Sequence, residues 1–286
     1  MRLASFTADR VTRIGVVVSD SVIDLSRVAP RLPSDMTAFL EGGAHALEEA
    51  TRAMSRLDAA IPLRDVRLEP PVPRPRKFLG LGANYPGKTI PSGIGERASQ
   101  MRSQSDQVWF NKQVSCITGP FDPIVIPQGC GDVLHEAELA LVIGKRCRHV
   151  PKDRAGEVIA GYFVCNDVTV VEWVLRSMTV TLGKSFDTHG PIGPWIVTPD
   201  ELGDPHDLRL RSFVNGEERQ SARTSEMYFD CFDMVAYLSS VFTLEPGDIL
   251  TTGTPARSPG SLRAGDVVCC EIEGIGRIEN RAVSEA

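Results

Sequence analysis

Hydrophobic positions along the chain fall into two textures. RIGVVVSDSVIDLS, residues 13–26, holds two short β-rich runs joined by a Ser-Asp-Ser turn and predicts a small hairpin. DMTAFLEGG and AHALEEATRAMSRL then predict two short helices, the first stopped by Gly42 and Gly43 and the second carrying apolar residues at helical spacing. LEPPVPRPRK follows, and its four prolines forbid continued helix, so residues 68–77 read as an extended connector. The expected boundary lies near residue 70, with a small α+β domain over 1–70 and a larger domain over 71–286.

Beyond the connector, short β-branched runs recur: KFLGLG, PIVIP, ELALVIG, AGYFVCND, GPWIVT, LRLRSFVNG, DILTTG and DVVCCEIEGIG. Gly, Pro and Asp punctuate them, as in EPGD before Ile249 and RAGD before Val267, where a turn leads into a strand. Two helical interruptions are expected, VTVVEWVLRSMT and FDCFDMVAYLSSVFT. The predicted class is mostly β with α, a roll or sandwich rather than a doubly wound sheet.

One run breaks its own pattern. LHEAELALVIGK, residues 134–145, opens with two carboxylates in an apolar strand, and strand alternation puts Glu136 and Glu138 on one face. With Asp167, at the end of YFVCND, they are read either as oxygen anchors for Mg²⁺ or Mn²⁺ or as a solvated strand face. His135 begins no HExxH helix, because Leu139 stands where the second histidine would be, and in a strand it points away from the glutamates. Lys184 stands between apolar runs before a Gly-Pro-rich loop, and is either a site lysine or a surface one. TTGTP, ending at Thr254-Pro255, is either an oxyanion contact or an ordinary polar turn. GLGANYPG lacks the third glycine and the βαβ setting of a dinucleotide loop, and no GxSxG elbow occurs.

Composition narrows the partners. The 286 residues are 42% hydrophobic, enough for a substantial core, and a net charge of −6 without a basic run argues against nucleic acid. Asp9 and Arg10 interrupt the start where a signal peptide needs its apolar stretch, and no run of about 18 apolar residues occurs, so a cytoplasmic location without membrane insertion is expected. Seven scattered cysteines without CxxC read as free thiols.

Taken in order, KFLGLGANY, FNKQVSCITGPFDPIVIP, HEAELALVIGK, GYFVCNDVT, GKSFDTHGPIGPW, VNGE and LEPGDILTTGTP resemble the fumarylacetoacetate hydrolase family, including its acylpyruvase and 2-hydroxyhepta-2,4-diene-1,7-dioate isomerase members. The resemblance covers nearly the whole chain. It implies a mixed β-sandwich roll, a homodimer, and Mg²⁺ or Mn²⁺ held by Glu136, Glu138 and Asp167. Lys184 falls on the family's active-site lysine and Thr254 on the threonine of its GTP turn, which makes both candidate catalytic residues, and Thr254 and Tyr85 become candidate substrate contacts. The implied substrate is a small 2-keto acid from aromatic or sugar-acid catabolism. The implied reaction is hydrolysis of a carbon-carbon bond in a 1,3-diketo or acylpyruvate-type acid through an enolate on the metal. Three carboxylates then balance one divalent ion and one ammonium.

Two stretches depart from the pattern. Hydrolytic members carry a histidine and, three residues on, a glutamate after the Asn-Tyr pair; here Lys88 and Pro91 take those positions. Three readings compete: Glu96 replaces the lid base, the chemistry is decarboxylation or keto-enol or double-bond isomerisation, or the chain is a dehydratase or a metal-binding relative without catalysis. After Pro255, ARSPGS replaces the expected Gly-rich turn, and Arg257 is either a carboxylate clamp or a solvated loop residue.

Overall fold

The computed structural model describes residues 1–87, 106–177, 179–256 and 260–286. One large sheet runs Ala60–Pro62, Ser21–Asp24, Val11–Val18, Arg2–Ala8, Gly190–Val197, Ile159–Asn166, Ala137–Ile143, Ile249–Thr251, Phe78–Gly82, Val108–Asn111. A second sheet runs Glu217–Arg223, Arg209–Val214, Val267–Ile272, Gly276–Ser284, Ile124–Ile126. This is the β-dominated α+β fold that the texture predicts. Each β-rich run named above contributes a strand, and the hairpin turns at Ser19-Asp20.

The N-terminal strands are not a separate sheet. Arg2–Ala8 pairs antiparallel with Gly190–Val197 through Arg2↔Val197 and Leu3↔Ile196. Helices Met36–Glu41 and Gly43–Ala53 bring Phe39, Ala46 and Ala50 onto the large sheet, against Ala140, Val142, Phe163 and Cys165. The opposite face presents Leu139, Leu141, Tyr162 and Val164 to the second sheet and to Met234, Val235 and Leu238 of helix Cys231–Val241. Strand Ala137–Ile143 is therefore buried on both faces. Burying one Leu or Ile side chain is worth roughly 1.5–3 kcal/mol, and several in succession offset the cost of carrying a carboxylate inward.

Two turns do what their residues predict. In EPGD the Asp248 carboxylate accepts from the Glu245 N–H at 2.8 Å and from Lys77 Nζ at 2.6 Å. In RAGD the Asp266 carboxylate accepts from the Arg263 N–H at 2.8 Å. The first expected helical interruption is reduced to Val171–Leu175, because Thr169 and Val170 are taken into a two-residue strand pairing with Val133–Leu134.

Candidate metal centre and active site

The regular strand begins at Ala137, so Glu136 lies just ahead of it. Its N–H donates to Asn166 Oδ1 at 2.9 Å and its carbonyl accepts from the Asp167 N–H at 2.9 Å. Pairing with the neighbouring chain thus continues past the strand and draws Asp167 alongside. The alternation that turns Ala140 and Val142 toward the N-terminal helices turns Glu138 to that same face, and donor oxygens of Glu136, Glu138 and Asp167 lie within 4.8 Å of one another, all buried.

Two lysines hold this cluster. Lys184 Nζ donates to Glu136 Oε2 and Asp167 Oδ2, each at 2.5 Å, and sits 5.1 Å from the centroid of the Phe110 ring. Burial pushes its pKa down, but Asp167, Glu136 and Glu138 outweigh that and hold the ammonium well above the ordinary lysine range. Lys112 was not singled out above, although it is a lone lysine next to a β-rich run just as Lys184 is. It is buried, donates to Asp167 Oδ1 at 2.7 Å and His189 O at 3.0 Å, and also donates to Lys184 O. Burial works against its charge as well, and Asp167 prevails, raising its pKa.

Lys112 corrects the charge reckoning. Three carboxylates face two ammonium groups, a net single negative charge, and a divalent ion turns that into a net single positive one. The donor set suits such an ion: all three are hard carboxylates, and their oxygens, within 4.8 Å of one another, are near enough to converge on one ion with metal–oxygen bonds of about 2.1 Å.

The other expected site residues divide into three groups. Tyr85 is buried, its ionisation opposed first by that burial and then by surrounding negative charge that includes Glu138, and its hydroxyl lacks a well-formed hydrogen bond among the described residues. Thr254 is engaged on both sides: its hydroxyl donates to Ala137 O at 2.8 Å and accepts from Gln220 Nε2 at 2.7 Å. The same turn supplies the Gly253 N–H, which donates to Glu138 Oε2 at 3.1 Å. Glu96 and Arg257, with Lys88 and Pro91, lie outside the described residues.

Asn84 ties the turn to its surroundings. Its amide donates to Thr252 O at 2.8 Å and to Phe229 O at 2.9 Å, and its Oδ1 accepts from the Phe229 N–H. His135 turns from the glutamates, as alternation requires, and its Nε2 meets Ser212 Oγ at 3.0 Å. Gln220, which nothing in its local sequence marks, stands between Ser212 and Thr254.

Known proteins resemble this chain along its whole length. The family model described as "Fumarylacetoacetate (FAA) hydrolase C-terminal" matches residues 77–283. The chain is 38% identical over 294 residues to the mitochondrial oxaloacetate tautomerase Fahd2a of Rattus norvegicus, covering 99% of this chain and 92% of that one. It is 37% identical over 295 residues to the human mitochondrial oxaloacetate tautomerase FAHD2A, with the same coverage of 99% and 92%. Among solved structures, the maleylpyruvate hydrolase of Sphingobium sp. SYK-6, in complex with manganese (II) ion and pyruvate, superposes with a TM-score of 0.82 at 33% identity over 100% of both chains. The 2-hydroxyhepta-2,4-diene-1,7-dioate isomerase of Mycobacterium marinum gives 0.79 at 32% identity, covering 100% of this chain and 99% of that one.

Proposed function

The chain belongs to the fumarylacetoacetate hydrolase family, and from that premise we propose that it is a divalent-metal-dependent enzyme interconverting the keto and enol forms of an oxaloacetate-like 2-keto acid. The observation that carries the reading is the buried cluster of Glu136, Glu138 and Asp167 crossed by Lys184. Those three carboxylates would hold Mg²⁺ or Mn²⁺, and an ion there supplies Lewis-acid polarisation of the substrate's oxygens.

The chain's own groups supply the rest. Enolisation moves a proton from C3 to the oxygen on C2, and negative charge grows on that oxygen before the proton arrives. Lys184 Nζ is fixed by two short hydrogen bonds beside the carboxylates, and so presents a positive charge to that oxygen without further reorganisation. Lys112 keeps Asp167 in place from the other side. With an ion bound, the net positive charge favours an anionic substrate. Burial of all three carboxylates excludes water, which strengthens each of these interactions.

Tautomerisation is favoured over hydrolysis by two observations. Hydrolysis must activate a water to attack the distal carbonyl, a nucleophile that tautomerisation does not use, and Lys88 and Pro91 stand where hydrolytic members carry histidine and glutamate. Relatives matching 99% of the chain are named as oxaloacetate tautomerases. Hydrolysis of an acylpyruvate, with Glu96 as base, is the second reading, favoured by the likeness to the maleylpyruvate hydrolase. We also propose a homodimer, to be checked by light scattering. A reducing compartment such as the cytoplasm is part of the proposal; seven free thiols support the reducing conditions, and the rat and human relatives are named as mitochondrial. No helix among the described residues is long and apolar enough to cross a membrane.

The test follows enol absorbance, pyruvate and carbon dioxide together in oxaloacetate and acylpyruvate solutions, with Mg²⁺, Mn²⁺ or chelator. Metal-dependent keto-enol exchange without pyruvate release, lost in Glu138→Ala, is expected. Stoichiometric pyruvate from an acylpyruvate, with no acceleration of enolisation, would replace this reading with hydrolysis. Carbon dioxide and pyruvate released together from oxaloacetate, without faster enolisation, would replace it with decarboxylation. A magnesium-raised melting temperature without any conversion would identify a non-catalytic relative.

A further inference from the structure

Ala137, the residue between the two glutamates, has a backbone problem that the sheet does not solve. Opposite Asn166 its N–H and C=O point away from Ile159–Asn166, toward the side on which Ile249–Thr251 runs. On the glutamate-bearing strand, Ile249–Thr251 pairs with Ala140, Leu141 and Val142 and stops short of Ala137. Its last backbone bond to the glutamate-bearing strand is from the Thr252 N–H to Leu139 O at 3.0 Å. The chain then leaves the sheet at Gly253, whose φ of +83° is open to glycine, and where an added Cβ would lie 2.7 Å from Leu81 O. Ala137 is 0% exposed, so both of its backbone groups would be buried without partners.

We propose that Gln220 is a positioning residue for the metal centre, its side-chain amide standing in for the strand missing beside Ala137. Gln220 belongs to Glu217–Arg223 of the second sheet and is 2% exposed. Its Oε1 accepts from the Ala137 N–H at 3.0 Å and from Ser212 Oγ at 2.9 Å. Its Nε2 donates to Thr254 Oγ1 at 2.7 Å and to Pro255 O at 2.9 Å. Thr254 in turn gives its proton to Ala137 O at 2.8 Å.

The proton directions leave one arrangement. Pro255 O and the Ala137 N–H fix which end of the amide is which, since reversal would set two donors and two acceptors face to face. Ser212 gives its proton to Gln220, so it accepts from Nε2–H of His135. One side chain from the second sheet therefore holds the N–H of Ala137 directly and its C=O through Thr254. Glu136 and Glu138 project from the residues on either side of Ala137, so this clamp sets their spacing. The role assigned to Thr254 changes with it, from substrate contact to the far half of the clamp.

This inference rests on the metal reading, and the test separates the two. Mn²⁺ binding to the full-length protein is measured by electron paramagnetic resonance, with thermal melting of the metal-free protein in parallel. Wild type should bind and Glu138→Ala should not; absence of binding in wild type would refute the metal reading and this inference together. Gln220→Asn, whose amide is too short to reach both Ala137 and Thr254, should weaken Mn²⁺ roughly ten-fold or more, as loss of partners that orient metal ligands does. Thr254→Val should weaken it comparably, and Thr254→Ser should restore it. Ser212→Ala, which removes a partner of Gln220 but none of Ala137, should lower the melting temperature and leave affinity within about two-fold. Gln220→Asn and Thr254→Val binding as wild type does, while melting earlier, would overturn the inference and leave Gln220 a purely structural residue.

Discussion

Lys112→Met gives the sharpest test of how the acidic cluster is tolerated without metal. The substitution keeps the length and apolar stem of a buried side chain but removes a charge bonded to Asp167 at 2.7 Å and to two backbone carbonyls. Unit charges about 4 Å apart at an effective dielectric of about 20 attract by about 4 kcal/mol. Breaking one side of a buried pair independently costs about 3–5 kcal/mol. Lys184 still neutralises part of Asp167, so the metal-free variant should lose about 3 kcal/mol, or roughly 6–10 °C in melting temperature for a chain of this size. Saturating Mg²⁺ should narrow the gap, because it restores positive charge beside the same carboxylate. The assay is thermal melting by circular dichroism of both proteins, with chelator and with Mg²⁺. A metal-free variant melting within about 2 °C of wild type, or a gap indifferent to Mg²⁺, would show that Lys112 does not compensate Asp167.

Two further outcomes follow from the same neighbourhood. His189 is pushed down to about 4, first by burial and then against the Val125 carbonyl bond that favours its charge, whereas an unfolded histidine titrates near 6.5. Its contribution is therefore complete above about pH 6.5 and is lost as pH falls toward 4, about 3 kcal/mol in all; urea titrations at pH 7 and 5 should show a smaller fall in His189→Gln than in wild type, and equal falls would count against it. Gly253→Ala must force a Cβ to 2.7 Å from Leu81 O at φ +83°, costing about 1–3 kcal/mol and moving the N–H off Glu138, so both melting temperature and Mn²⁺ affinity should drop. An alanine variant equal to wild type in both would refute the role given to that turn.

Much of the fold was legible because it is written in local pattern. Alternating and β-branched runs located ten of the strands, though not Arg2–Ala8, Glu217–Arg223 or Gly276–Ser284; the prolines at 70–75 marked the connector, and the aspartates of EPGD and RAGD announced their turns. Glu136 and Glu138 were legible for the same reason: they break an apolar run at a spacing of two. Lys112 was within reach of the reasoning that found Lys184, since each is a lone lysine beside a β-rich run.

Gln220 was not, and the reason is physical. GEERQSAR is an ordinary exposed-edge pattern, and its glutamine acquires a role only because Ile249–Thr251 ends early and the second sheet packs against the gap beside Ala137. The net charge of the centre also escaped the sequence: a lone lysine can be marked as a candidate, but nothing local says which carboxylate it will face, and Lys112 meets Asp167 across 55 residues. The sequence by itself determined many of the strands, the face on which the two glutamates sit, and the chemistry that their oxygens can bind. Only the tertiary structure decided which cations oppose them and which side chain closes the open backbone, because both depend on contacts between segments whose separation along the chain carries no periodic signal.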